Sequence, residues 1–169
     1  TGEIIQSIVG LGIPVSAAPF GDYFAVAQHS NSAVSLFNKD GSFHSVLSDD
    51  FDGPTHVLAF EDGLWVSDTV RGQVLRVLAN GTTEVLVKGL TTPEGLAVHK
   101  GSIYVFEGST GKIKLITGGS TMTVATLSAG SPPATPEQPP SMILNGLVVH
   151  DGFLYAADEM KRAIFRIEI

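Results

Sequence analysis

One unit of about forty residues is written four times into this chain, and no other feature restricts the fold as strongly. The clearest copy runs Pro54-Thr55-His56-Val57-Leu58-Ala59-Phe60, a turn at Asp62-Gly63, Leu64-Trp65-Val66-Ser67-Asp68, then Gln73-Val74-Leu75-Arg76-Val77. It returns as Pro93-Glu94-Gly95-Leu96-Ala97-Val98, Ile103-Tyr104-Val105-Phe106-Glu107 and Lys112-Ile113-Lys114-Leu115-Ile116. A further copy reads Asn145-Gly146-Leu147-Val148-Val149, Leu154-Tyr155-Ala156-Ala157-Asp158 and Ala163-Ile164-Phe165-Arg166-Ile167. The first copy is the most eroded: residues 15–18, Phe24-Ala25-Val26-Ala27-Gln28 and Ala33-Val34-Ser35-Leu36-Phe37. Aligned on their third run, Val34, Val74, Ile113 and Ile164 stand 40, 39 and 51 residues apart. A polar residue, Gln28, Asp68, Glu107 or Asp158, precedes each by six positions. Unrelated segments do not keep such a constant.

Each run is short and rich in β-branched and aromatic residues, and turn signals bound it, so each is a strand. Gly21-Asp22, Asp62-Gly63, Lys100-Gly101 and Asp151-Gly152 divide the first strand of each unit from the second. Asp40-Gly41, Asn80-Gly81 and Gly118-Gly119 divide the third from a fourth over 43–47, 83–87 and 121–127. A four-stranded antiparallel meander repeated radially is a propeller blade. The expectation is therefore all-β: a small β-propeller of four four-stranded blades forming one domain over 1–169, with blades at 10–48, 52–88, 91–128 and 141–169. The last copy lacks its fourth strand, while Glu3-Ile4-Ile5-Gln6-Ser7-Ile8-Val9 is a strand-like run without a blade. Residues 1–9 are expected to complete the last blade and close the ring, capping two open edges. An open piece of a larger ring, or two chains exchanging this strand into eight blades, are the alternatives. Residues 129–141 hold five of the nine prolines, which cannot donate to a ladder, and read as a surface loop between the last two blades.

Composition excludes several classes of function. With 43% hydrophobic and 16% charged residues the chain is built to bury a core. A formal charge of −7, with only ten scattered basic residues, argues against a nucleic-acid groove. No apolar run reaches the roughly 18 residues that span a bilayer as a helix. Without cysteine there is no disulfide, thiolate ligand or thiol nucleophile. The chain opens on Thr1 as a processed form does, and an extracellular or periplasmic setting is the expectation.

The runs Pro93-Glu94-Gly95-Leu96-Ala97-Val98, Asn145-Gly146-Leu147-Val148-Val149 and Leu154-Tyr155-Ala156-Ala157-Asp158 resemble blades of the NHL-repeat and SMP-30/gluconolactonase-like propellers. In the lactonase-like family a divalent cation sits on the ring axis, held by side chains that precede glycine on the innermost strands. The resemblance places Asn145 and Glu94 at such positions, with His56 and Ser16 taken as their counterparts in the second and first blades. It implies an axial ligand site of Ser16, His56, Glu94 and Asn145. Of these, His56, Glu94 and Asn145 would hold a cation (Ca, Mg, Mn or Zn), and its bound water would act as nucleophile.

Other residues read as structure. Asp68, Glu107 and Asp158 sit where one strand turns into the next, and a carboxylate there accepts backbone N–H groups. Trp65, Tyr104 and Tyr155 share one repeat column and are expected between blades. Gly108-Ser109-Thr110-Gly111-Lys112 joins two antiparallel strands, with no helix to complete a phosphate loop. No Gly-x-Ser-x-Gly motif occurs, and no residue is assigned a catalytic role. The function expected is a non-catalytic binding or scaffold module offering loops to a protein or carbohydrate partner. A metal-dependent lactone hydrolase is the alternative. Either would act as a monomer or a strand-exchanged dimer.

Overall fold

The computed structural model describes residues 2–4, 6–127, 146–158 and 162–169. Its regular structure is fifteen strands and one 3-10 turn, His29–Asn31. The first sheet contains β1 (Pro14–Phe20), β2 (Tyr23–Gln28), β3 (Ala33–Phe37) and β4 (Phe43–Ser48). The second contains β5 (Pro54–Phe60), β6 (Gly63–Asp68), β7 (Gln73–Leu78) and β8 (Thr83–Lys88). The third contains β9 (Pro93–His99), β10 (Ser102–Glu107), β11 (Lys112–Thr117) and β12 (Ser120–Thr126). The last contains β13 (Leu147–His150), β14 (Phe153–Asp158) and β15 (Ala163–Glu168). Every sheet is an antiparallel meander in chain order. The all-β blade architecture expected from the repeat is therefore the observed one.

Turn chemistry makes the meanders. Lys100 and Gly101, and likewise Asp151 and Gly152, both take positive φ, the paired left-handed geometry that lets a two-residue hairpin match strand twist. In the second blade the turn falls one residue earlier than the Asp-Gly signal suggested. Phe60 pairs with Gly63, so Glu61 and Asp62 make the turn, and Glu61 takes φ 55°.

The sheets pack face to face around their first strands, which succeed one another as β1, β5, β9 and β13. Alternation gives each blade two buried faces. Between the first and second blades lie Ala25, Ala27, Val34 and Leu36 against Val57, Leu64, Val66, Leu75 and Val77. Between the second and third lie Val74 and Trp65 against Leu96, Ile103 and Val105. Between the third and fourth lie Tyr104, Phe106 and Ile113 against Leu147, Leu154 and Ala156. Trp65 and Tyr104 are thus inter-blade core, as their shared column predicted.

The expected closing strand does not form among the described residues. The last sheet has three strands, and neither 2–4 nor 6–9 is in a ladder. Instead the Gln6 side-chain amide donates to the Asp40 carbonyl at the outer turn of the first blade. Residues 8–11 lie over that blade's free face. Apolar side chains shed more water on a nearby sheet face than by reaching a distant edge. Among the described residues the four sheets form an arc: β13 packs on β9, and no packing of that extent joins it to β1. No helix among the described residues is long and apolar enough to cross a membrane.

Candidate functional site

One end of the arc gathers the residues singled out by the repeat. The innermost strands begin there, the second strands finish there, and Leu127 and Gly146, the two flanks of the expected proline-rich loop, lie there. Leu127 N–H donates to the Gly111 carbonyl at 2.8 Å, and Ala157 N–H to the Gly146 carbonyl at 2.9 Å. The loop itself, with Asn145, lies outside the described residues.

The constant polar column clamps this end together. The Asp68 carboxylate, fully buried, accepts N–H bonds from Asp52 (3.0 Å), Gly53 (3.1 Å) and Arg71 (3.2 Å). Glu107 accepts from Thr91 N–H at 2.8 Å and Thr110 Oγ1 at 2.9 Å, and pairs with Lys114 Nζ at 2.8 Å. Gln28 does the same with an amide: Oε1 accepts from Gly12 N–H at 3.0 Å, and Nε2 donates to Ser35 Oγ at 2.8 Å. In each of the first three blades the side chain closing the second strand thus ties down the loop entering the first. A buried side chain that satisfies otherwise orphaned backbone donors is a structural device. The turn-closing role read for Asp68 and Glu107 is what they perform.

Arg71 extends the second clamp outward. Its guanidinium meets Asp50 at 2.9 Å, Asp52 at 3.1 Å and Asp68 at 3.8 Å. Asp50 also accepts from Thr83 Oγ1 at 3.0 Å. The hydrogen bond from Arg71, then that from Thr83, holds the Asp50 carboxyl below the usual carboxylate range.

Strand register corrects how the axial candidates relate. In the first three blades the innermost strand bulges after its first proline: Pro14 pairs with Gln28 and Ser16 with Ala27; Pro54 pairs with Asp68 and His56 with Ser67. In the third blade Pro93 pairs with Glu107 and Leu96 with Val105. Counting from these pairs sets Ser16 and His56 level with Gly95, whereas Glu94 is level with Val15 and Thr55. Glu94 therefore stands one position before the residue level with Ser16 and His56, within the bulge.

The local contacts agree. The Ser16 hydroxyl is engaged by the second blade, accepting from Val57 N–H at 3.2 Å. Thr55 Oγ1 touches Thr69 Oγ1 at 2.6 Å. At the equivalent place in the third blade the Glu94 carboxylate covers Gly108, where a Cβ would lie 2.2 Å from Oε1. His56 is half-buried, and loss of water lowers its pKa from the usual 6.5, so the ring is neutral at physiological pH. Among the described residues no group of three or more His, Asp or Glu side chains is placed to hold a metal ion.

Two staples between blades carried no sequence signal, because their acceptors are backbone. Ser67 Oγ donates to the Glu94 carbonyl at 2.7 Å, and Thr69 Oγ1 to the Pro93 carbonyl at 2.6 Å. They lock the second blade to the third at this end.

No protein-family pattern and no curated protein matches the sequence. Solved structures do. A streptogramin B lyase superposes with a TM-score of 0.74 at 14% identity, over 95% of this chain and 53% of the lyase. A nidogen/laminin complex gives 0.64 at 14%, over 93% and 76%. The computationally designed Ika4 protein gives 0.61 at 15%, over 100% and 99%. The chain thus spans about half the length of the lyase structures it resembles. At this identity the likeness establishes a β-propeller fold, and propellers of this kind include both enzymes and binding proteins.

Proposed function

We propose that this chain is a non-catalytic binding module that presents the loops of the clamped end to a protein or carbohydrate partner. One observation carries the reading: polar side chains at that end are spent on the frame. Asp68 and Glu107 hold loop N–H groups, while Ser16 and Ser67 bridge neighbouring blades. The chain leaves the frame at Leu127 and rejoins it at Gly146, both at this end. A rigid frame bearing one long insertion divides support from recognition as binding repeats do. A structural neighbour that is itself part of a protein–protein complex supports the reading.

The test replaces residues 128–145 with a short Gly-Ser linker and compares both proteins on glycan and matrix-protein arrays. Binding that is lost with the linker and kept by Glu94→Gln supports the module. Equal binding without the loop, or none by the intact chain, contradicts it.

A metal-dependent hydrolase is the second reading, favoured by the neutral, half-buried His56 imidazole, the form that ligates metals. Its test is a melting shift with Ca²⁺, Mg²⁺, Mn²⁺ or Zn²⁺, together with lactone hydrolysis. Both would be abolished by His56→Gln and by Glu94→Gln.

A further inference from the structure

The arc ends in two faces that match the halves of its own junctions. In each blade one column faces the next blade. Val74 and Ile113 in that column are 0% exposed, and the same position in the last blade, Ile164, is 75% exposed. Beside it, Ala97 is 4% exposed in the third blade and Val148 is 58% in the last. Tyr155 stands between them in the aromatic column, paired with Val148 on one side and Arg166 on the other. This is the apolar surface of an internal junction without a following blade.

The opposite end shows the complementary half. Leu64, Ile103 and Leu154 face the preceding blade and are 2% exposed or less. Their counterpart Phe24 is only half-buried, stacked on Phe37 at 5.6 Å, with Phe43 edge-on to Phe37 at 5.8 Å. Phe43 itself is 59% exposed. Residues 8–11 roof this face loosely and leave a cavity of about 610 Å³ lined by Val9, Leu11, Ser35, Phe37 and Phe43.

We infer that a second copy of the chain covers both faces. The last blade of each copy packs on the first blade of the other, closing a two-fold ring of eight sheets. Two arguments favour this occupant. Each internal junction already pairs these two kinds of face, so no new surface chemistry is required. The two junctions formed are identical, and a head-to-tail contact used twice closes instead of growing into a fibre. Exposed apolar patches at both ends of one molecule mark an interaction surface. The unpaired edge of β15 then lies beside residues 3–9 of the partner copy, an alternating segment able to add as its fourth strand.

Sedimentation equilibrium of the intact chain tests this. The expected species has twice the 17.7 kDa chain mass. Ile164→Glu on one face and Phe43→Glu on the other, made separately, should each halve that mass and leave the β-sheet circular dichroism unchanged. Val148→Ser and Val9→Ser, gentler changes on the same two faces, should weaken the association without abolishing it. A single chain at every concentration would overturn the inference. So would a dimer indifferent to Phe43→Glu, which would mean like faces meeting, or an open series of multiples, which would mean a ring that does not close.

Discussion

Ile113 and Ile164 are the same residue at the same point of the same repeat, one sealed between blades and the other open to solvent. The contrast extends across both faces: Leu64 against Phe24, Ala97 against Val148. A blade's sequence specifies what it can bury, and its neighbours decide whether it does. In repeat folds stability is shared between the unit and its interfaces. The middle blades are held on two sides and the end blades on one.

Substitutions can break or sharpen that contrast. The largest effect is expected at the sealed position. Ile113→Ala should cost about 2–5 kcal/mol in urea unfolding, from lost burial and the cavity left behind. For the isolated chain Ile164→Ala should stay within about 0.5 kcal/mol, as at any open site. If the two cost the same, the arc is wrong.

Next comes the clamp. Asp68→Ala strands three backbone donors, the buried Gly53 N–H and the part-buried Asp52 and Arg71 N–H, and should cost about 3 kcal/mol. Lys114→Met leaves the buried Glu107 carboxylate without its cation and should cost a similar amount, about 3 kcal/mol. Asp158 closes the equivalent strand of the end blade, so its alanine variant measures whether the clamp works as well with one neighbour as with two. Smaller still is the bridge from the first blade to the second: Ser16→Ala removes the bond accepted from Val57 N–H and the longer one donated to the Val57 carbonyl, and should cost about 1 kcal/mol.

The smallest effect is a pH dependence. Burial lowers the His56 pKa below its usual 6.5, so the folded chain takes up that proton less readily than the unfolded chain. Stability should be level above that value and fall as the pH drops below it, because only the unfolded state gains the proton freely. The difference in melting temperature between the intact chain and His56→Gln, followed from pH 7.5 downwards, isolates this contribution. A difference that grows upward in pH would reverse the assignment.

Much of this was legible in the sequence. The constant spacing from Gln28 to Val34, and from Asp68 to Val74, located the clamps, because a fixed polar residue at a strand end has a backbone task to perform. The aromatic column located the junctions, because alternation assigns faces. Aligning Pro54 with Pro93 sets Glu94 beside Thr55, one residue short of His56; both strands carry the same bulge, so this offset stands in the sequence itself. What could not be read depends on curvature. Residues 3–9 have a strand's pattern, yet their neighbour is fixed by how far the arc bends, which no local pattern records. Ile164 gave no sign of exposure because its column is apolar in every copy.

Melting temperature as a function of protein concentration tests most directly whether these end faces are halves of a missing junction. For a chain whose folded form is completed by a second copy, the melt must rise with concentration, and Ile164→Glu must flatten that dependence. A melting temperature that is the same at all concentrations, and unchanged by that substitution, would contradict the account.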